Sequence, residues 1–72
     1  MDIVKVFGVN VKKRRLEMDL SQDKLAEKSG LHRTYISDIE RFKRSIALEN
    51  IQRLADALEV ETYTLFVDGG AD

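Results

Sequence analysis

Four polar side chains near the middle of this 72-residue sequence are close enough along the chain to act together. Arg33, Thr34, Ser37 and Asp38 have the spacing of one exposed helical face. An arginine can donate two hydrogen bonds to O6 and N7 of guanine, and a threonine can contact a thymine methyl group or a phosphate. A serine can hydrogen-bond a base or the backbone, and a carboxylate can accept from N4 of cytosine. These residue types predict contacts to base edges of DNA.

Side chains that can donate hydrogen bonds to phosphate flank this face; they are Gln22, His32, Tyr35, Lys43 and Arg44. Two assignments have an alternative. His32 directly precedes the predicted helix and can serve as its cap. Asp38 can pair with Arg41 on the same helix instead of contacting a base.

Enzymatic chemistry lacks support in the sequence. Ser21, His32 and Asp38 are present, but a nucleophile elbow, a glycine-rich phosphate loop and a paired-carboxylate cleft are not. One histidine and no cysteine make a side-chain metal site improbable. We therefore expect no catalysis, no metal, no cofactor and no small-molecule ligand.

The charge is distributed unevenly, although the net charge is only −1. Residues 1–46 contain 11 Lys or Arg against 7 Asp or Glu, whereas residues 47–72 contain only Arg53 against 6 Asp or Glu. This asymmetry predicts a basic face for a polyanion and an acidic half turned away from it. The sequence has no apolar run long enough to span a membrane and no signal-peptide pattern, so we expect a cytoplasmic protein.

Helical spacing of apolar residues runs through most of the chain and predicts an all-α fold of five short helices. The expected ranges are about 3–18, 22–29, 33–41, a fourth helix marked by Leu48 to Leu58, and a turn at about 62–66. Ser21 is a good N-cap for the second helix, and Gly30 a good left-handed residue at its end. Asp19 is expected in a left-handed conformation after the first helix.

The second and third helices, joined by a short turn, form a predicted helix-turn-helix over about residues 21–41. An α-helix fits the major groove of DNA, and the first helix of such a pair can lie across the backbone. Residues 1–67 are predicted to form one DNA-binding domain, with a dimerisation region at about 48–67. Residues 68–72 are predicted to be a flexible tail.

The stretch LSQDKLAEKSGLHRTYISDIER, residues 20–41, resembles the helix-turn-helix of the Cro and phage-repressor family, also called the xenobiotic-response-element type. With the flanking FGVNVKKRR and ALENIQRLADALEV, the resemblance covers roughly residues 7–66. Within that family the chain is similar to controller proteins of restriction-modification systems. The resemblance implies a compact, lambda-repressor-like five-helix bundle that binds palindromic operators in double-stranded DNA as a homodimer and regulates transcription.

The resemblance also assigns roles to individual residues. It implies a phosphate contact for Gln22 and base contacts for the four residues of the third helix. Arg44 would lie against the DNA backbone or in a neighbouring minor groove. Arg15 and Glu40 match a structural ion pair that ties the first helix to the end of the third.

The sequence departs from the family pattern at four positions. Asp19 and Phe42 stand where glycine is usual, and Phe42 is expected to send the loop after the third helix along another course, because a left-handed phenylalanine costs about 1–2 kcal/mol. Arg14 replaces an apolar residue, so we expect different packing of the first helix or an outward basic side chain. Ala47 replaces a Ser or Thr cap, and Ser45 is expected to cap an earlier start.

The C-terminal segment is predicted to supply the dimer interface. The 62–66 turn returns Leu65 and Phe66 to the core, yet Tyr63, Leu65, Phe66 and Val67 together offer more apolar surface than a small monomer can cover. An alternative from a different class is an antitoxin-type interaction module, in which this surface masks a toxin and DNA binding is secondary.

Overall fold

The computed structural model describes residues 1–68. Four α-helices are present in this range: α1 spans Ile3–Glu17, α2 Gln22–Ser29, α3 Arg33–Glu40 and α4 Leu48–Leu58. A 3-10 helix, Thr62–Phe66, follows them. These residues contain no β-strand, so the all-α prediction is confirmed.

The expectation of a fifth α-helix is wrong, because the fifth element is a five-residue 3-10 helix. The backbone N–H of Thr64 donates to the carbonyl of Glu61, three residues earlier, at 3.1 Å, and the Thr64 hydroxyl donates to the same oxygen at 2.7 Å. So short a segment favours the tighter 3-10 turn over a longer α-helix. Of the predicted tail, Asp68 is exposed, and residues 69–72 lie outside the described residues.

The helix ends follow the local signals in the sequence. Ser21 caps α2 by accepting a hydrogen bond from the Lys24 amide at 3.0 Å, and Gly30 ends that helix at φ 75°. Asp19 is left-handed at φ 58°, as predicted. Asp2, a cap that the sequence analysis did not identify, accepts from two amides at the start of α1.

Phe42 adopts the left-handed conformation, with φ 62°, so the expectation of a different loop course is wrong. Its N–H donates to the carbonyl of Ile39 at 3.1 Å, and the next amide, of Lys43, donates to the carbonyl of Asp38 at 2.9 Å. These two bonds are the Schellman arrangement that usually has glycine at this position. The Phe42 ring packs against Gly8 on α1, and this contact helps to offset the backbone strain.

The expected cap at Ser45 is also wrong. α4 begins at Leu48 with Ala47 as its N-cap, and no side chain caps it. Arg14 reaches the end of the same helix, where its Nε donates to the Leu58 carbonyl at 2.9 Å, while its side chain remains 33% exposed beside Glu17. This partner explains how a charged residue is accommodated at an apolar position of α1.

All four α-helices and the 3-10 helix contribute to the core, in which α1 packs on α3, α4 and the 3-10 helix, and α2 packs on α3 and α4. Its largest fully buried side chains are Val11, Leu25, Ile36, Ile39, Leu54, Leu58 and Leu65. Ile36 and Ile39 hold one side of α3 inside, which leaves its opposite side at the surface. No helix within residues 1–68 combines the length and apolar character needed to cross a membrane.

Candidate nucleic-acid interface

The outer side of α3 presents the residues that the sequence analysis placed there. Arg33 and Thr34 are exposed at its first turn, and Ser37 is half-buried one turn later. His32 caps the helix, with its Nδ1 accepting a hydrogen bond from the Thr34 amide at 3.2 Å. An accepting Nδ1 leaves the proton on Nε2, so the ring can still donate a hydrogen bond outward.

Arg33 is paired with a residue on the preceding helix. Its Nε lies 3.1 Å from Oδ1 of Asp23, which is in the first turn of α2. Both side chains are largely exposed, so the contact is weak in water. Asp23 was not predicted to be part of the interface, because an acidic residue in the first turn of a helix is already explained by its favourable interaction with the helix dipole.

Asp38 lies between two arginines. Its carboxylate oxygens are 3.6 Å from Nη2 of Arg41 and 3.6 Å from Nη2 of Arg44. Only 22% of the Asp38 side chain is exposed. This geometry favours the pairing alternative over a base contact for Asp38.

Tyr35 connects α3 to the loop after it and to α4. The Arg44 guanidinium stacks over its ring, 4.5 Å from the centroid. The Tyr35 hydroxyl accepts a hydrogen bond from the Asn50 amide at 3.1 Å and keeps its own proton for another partner. Asn50 carried no sequence signal, because the contact joins residues on two separate elements.

A buried ion pair connects the helix-turn-helix to α1. Arg15 donates from Nε and Nη2 to the two carboxylate oxygens of Glu40, at 2.7 and 2.9 Å. Arg15 also donates to the Leu20 carbonyl at 2.7 Å, and Gln22 donates to Glu40 at 3.1 Å. The Gln22 amide, predicted to contact phosphate, thus already has one partner in the unbound protein. Lys43 is exposed beside this end of α3.

The predicted dimer residues separate into two groups. Leu65 is 2% exposed and lies in the core, so its assignment to the interface is wrong. The Phe66 ring packs on that of Phe7, with centroids 5.1 Å apart, and is half-buried. Tyr63 and Val67 remain at the surface, 69% and 52% exposed. Leu65 and Phe66 face inward because the 3-10 helix packs against α1.

Several polar groups of the interface are arginines that pair with carboxylates at the surface. Among residues 1–68, no group of three or more His, Asp or Glu side chains is arranged to hold a metal ion.

The comparisons with known proteins agree with this geometry. A family model described as helix-turn-helix matches residues 11–65. The control protein C.BamHI of Bacillus amyloliquefaciens is 49% identical over 61 residues, which are 83% of this chain and 75% of that protein. The crystal structure of the restriction-modification controller protein C.AhdI from Aeromonas hydrophila matches with a TM-score of 0.85 and 41% identity, over 88% of this chain and 96% of that one.

A third match is a protein–DNA complex. It is the crystal structure of the restriction-modification controller protein C.Esp1396I, a tetramer in complex with its natural 35 base-pair operator. The TM-score is 0.82 at 38% identity, over 89% of this chain and 84% of that chain.

Proposed function

The chain belongs to the helix-turn-helix family and is a relative of the restriction-modification controller proteins, and from this premise we propose that it is a transcriptional regulator that binds palindromic operator DNA as a homodimer. It acts by binding and not by catalysis. Residues 1–67 form the DNA-binding domain, and the antitoxin alternative is not retained, because the relatives reported above are control and controller proteins.

The outer face of α3 carries the proposal. In the bound state α3 enters the major groove, where Arg33, Thr34 and Ser37 reach the base edges. Ile36 and Ile39 anchor the opposite face of α3 in the core, so the helix can dock as a rigid unit. Specificity comes from this face.

Affinity comes from contacts to phosphate around it. Lys43 and Arg44 follow α3, and Gln22 at the start of α2 is hydrogen-bonded to Glu40 at the end of α3, so these residues lie around the same end of α3. Tyr35 and His32 each retain a proton to donate. Contacts of this kind depend on salt and are insensitive to sequence.

A homodimer would place two α3 helices about 34 Å apart, one turn along the duplex. Tyr63 and Val67 are the residues of the predicted C-terminal interface that remain accessible to a second copy. A monomeric mass by light scattering at micromolar concentration, with and without operator, would contradict the homodimer.

The test is selection of duplexes from a random library with the purified protein, at about 150 mM salt, which weakens non-specific phosphate binding. Enrichment of a palindrome with two half-sites is the expected result. A single half-site would contradict the homodimer alone, whereas no enrichment would contradict sequence-specific binding.

A further inference from the structure

The ion pair between Asp23 and Arg33 joins the two helices of the helix-turn-helix at the proposed DNA surface. We propose that Asp23 is a positioning residue, which holds Arg33 in the orientation that reads guanine. The inference rests on the proposed function, since it assumes that Arg33 contacts a base. It adds a specificity-determining role for a residue on α2.

Asp23 approaches Arg33 from the side of the guanidinium group and not from its terminal end. Asp23 Oδ1 contacts Nε of Arg33, which is the guanidinium nitrogen bonded to Cδ of the arginine side chain. An end-on pair of hydrogen bonds to O6 and N7 of guanine requires the two terminal nitrogens, Nη1 and Nη2. A contact through Nε does not itself occupy these two nitrogens, so the same arginine can keep its partner carboxylate while it binds the base.

The neighbouring arginines are held differently. Arg41 and Arg44 each approach Asp38 through Nη2, one of the nitrogens of the end-on edge. Arg44 also has the face of its guanidinium against the Tyr35 ring. Of the three arginines on α3 and in the loop after it, Arg33 is the one whose shortest carboxylate contact is made through Nε and not through a terminal nitrogen.

Preorganisation is the physical benefit. A free arginine side chain samples many rotamers, and ordering it on binding opposes association. A carboxylate fixed on the adjacent helix restricts these rotamers before the DNA arrives. The pair is exposed, 62% for Arg33 and 77% for Asp23, so its contribution is modest.

The charge of Asp23 acts in the opposite direction on non-specific binding. The start of α2 faces the phosphate backbone in the proposed complex, and a carboxylate there repels the polyanion. Removing Asp23 is therefore expected to strengthen binding to any duplex slightly while weakening the preference for guanine. A change of charge alone would alter binding to all sequences equally.

The experiment compares Asp23→Ala with Glu27→Ala. Glu27 is on the same helix, 71% exposed and paired with Lys24 at 3.1 Å, so its replacement removes the same charge without touching Arg33. Affinities are measured on a duplex with one selected palindrome, on the same duplex with the guanine read by Arg33 replaced, and on a random duplex. Arg33→Ala identifies that guanine as the position where its preference is lost.

For Asp23→Ala we expect the ratio of the affinity for the selected duplex to the affinity for the replaced duplex to fall about two- to fivefold. This is the range available to an exposed ion pair. Glu27→Ala should leave this ratio unchanged. In the double variant Asp23→Ala/Arg33→Ala, loss of Asp23 should cause no further fall. Asp23→Asn, which keeps an oxygen acceptor for Nε, should retain part of the preference.

Equal affinity ratios, selected over replaced duplex, for Asp23→Ala and Glu27→Ala would overturn the inference. Recognition of the base by Arg33 would then still stand. A further fall in the double variant would also overturn it, because Asp23 would then act independently of Arg33. If Arg33→Ala itself changes no base preference, the failure lies in the proposed base contact. Thermal unfolding of each variant shows whether a loss of affinity reflects a loss of folded protein.

Discussion

Arg15 and Glu40 form a bidentate ion pair that joins α1 to the last residue of α3. Both residues are buried, at 7% and 8% exposure. The hydrogen bond to Glu40 raises the pKa of the Arg15 guanidinium above its ordinary value, against the opposing effect of burial. Arg15 therefore stays charged at every pH at which the protein is studied. This pair fixes the end of the proposed recognition helix relative to α1.

Replacing Glu40 with Ala is expected to lower the free energy of unfolding by about 3–5 kcal/mol, because it leaves the Arg15 charge buried without its partner. Chemical denaturation of the purified variant measures this change. The double replacement Arg15→Met/Glu40→Leu should be clearly more stable than Glu40→Ala, since it leaves no unpaired charge. Equal stability of the single and double variants would show that the loss comes from packing alone.

Gly8 permits the close approach of α1 to the end of α3. A Cβ added at Gly8 would fall on the carbonyl oxygen of Ile39 and 2.8 Å from Cδ1 of Phe42. We expect Gly8→Ala to destabilise the protein by about 1–3 kcal/mol, because backbone must shift to admit the methyl group. The gain in helix propensity for Ala is smaller. Thermal unfolding measures the effect, with the exposed Lys13→Ala on the same helix as the control; a more stable Gly8→Ala would contradict the contact.

Glu59 ends α4 in the left-handed conformation, at φ 59° and ψ 44°. Glycine adopts this conformation without steric cost, so Glu59→Gly is expected to raise stability by about 0.5–1 kcal/mol, after allowance for the greater freedom of the unfolded chain. It also removes the exposed contact to Lys28, 3.3 Å long, which contributes little. Urea titration measures the gain. Glu59→Ala, which keeps a Cβ, should show none, and a gain of equal size there would argue against strain.

Ala47 leaves the start of α4 without a side-chain cap. A hydroxyl at this position can accept a hydrogen bond from an amide of the first turn, so we expect Ala47→Ser to add about 0.5–2 kcal/mol. The melting temperature followed by circular dichroism reports the change. Ser45→Ala, two residues before the cap, should change stability by less than about 0.5 kcal/mol. If Ser45→Ala is as costly as Ala47→Ser is favourable, the assigned start of α4 is incorrect.

Arg33 and Lys43 should differ in their effects on DNA binding. Arg33→Ala is expected to reduce affinity for the selected operator by about 1–3 kcal/mol and to relax the preference at one base pair. Lys43→Ala should weaken binding to all sequences similarly and lower the salt dependence by about one phosphate contact. Titrations of selected and random duplexes at two salt concentrations separate the two effects. If Arg33→Ala left the operator affinity unchanged, the assignment of α3 as the recognition helix would be contradicted.

The sequence by itself determined the features that depend on residues within a turn or two of one another. Ser21 and Gly30 stand at the two ends of α2, and Asp19 is left-handed, because capping and backbone preferences act locally. The apolar spacing of Ile36 and Ile39 identified the inner face of α3, and therefore also the outer face with Arg33. Together with the polar residue types on that outer face and the family resemblance of residues 20–41, these local features predicted the helix-turn-helix from the sequence.

The tertiary structure decided the features that join distant parts of the chain. Phe42 keeps a conformation usual for glycine because its ring has a place beside Gly8, 34 residues earlier. Leu65 is in the core because the 3-10 helix packs against α1. Asp23 meets Arg33 only when the turn brings the starts of α2 and α3 together. Such contacts depend on the spatial approach of whole helices, which local propensity and periodicity do not encode.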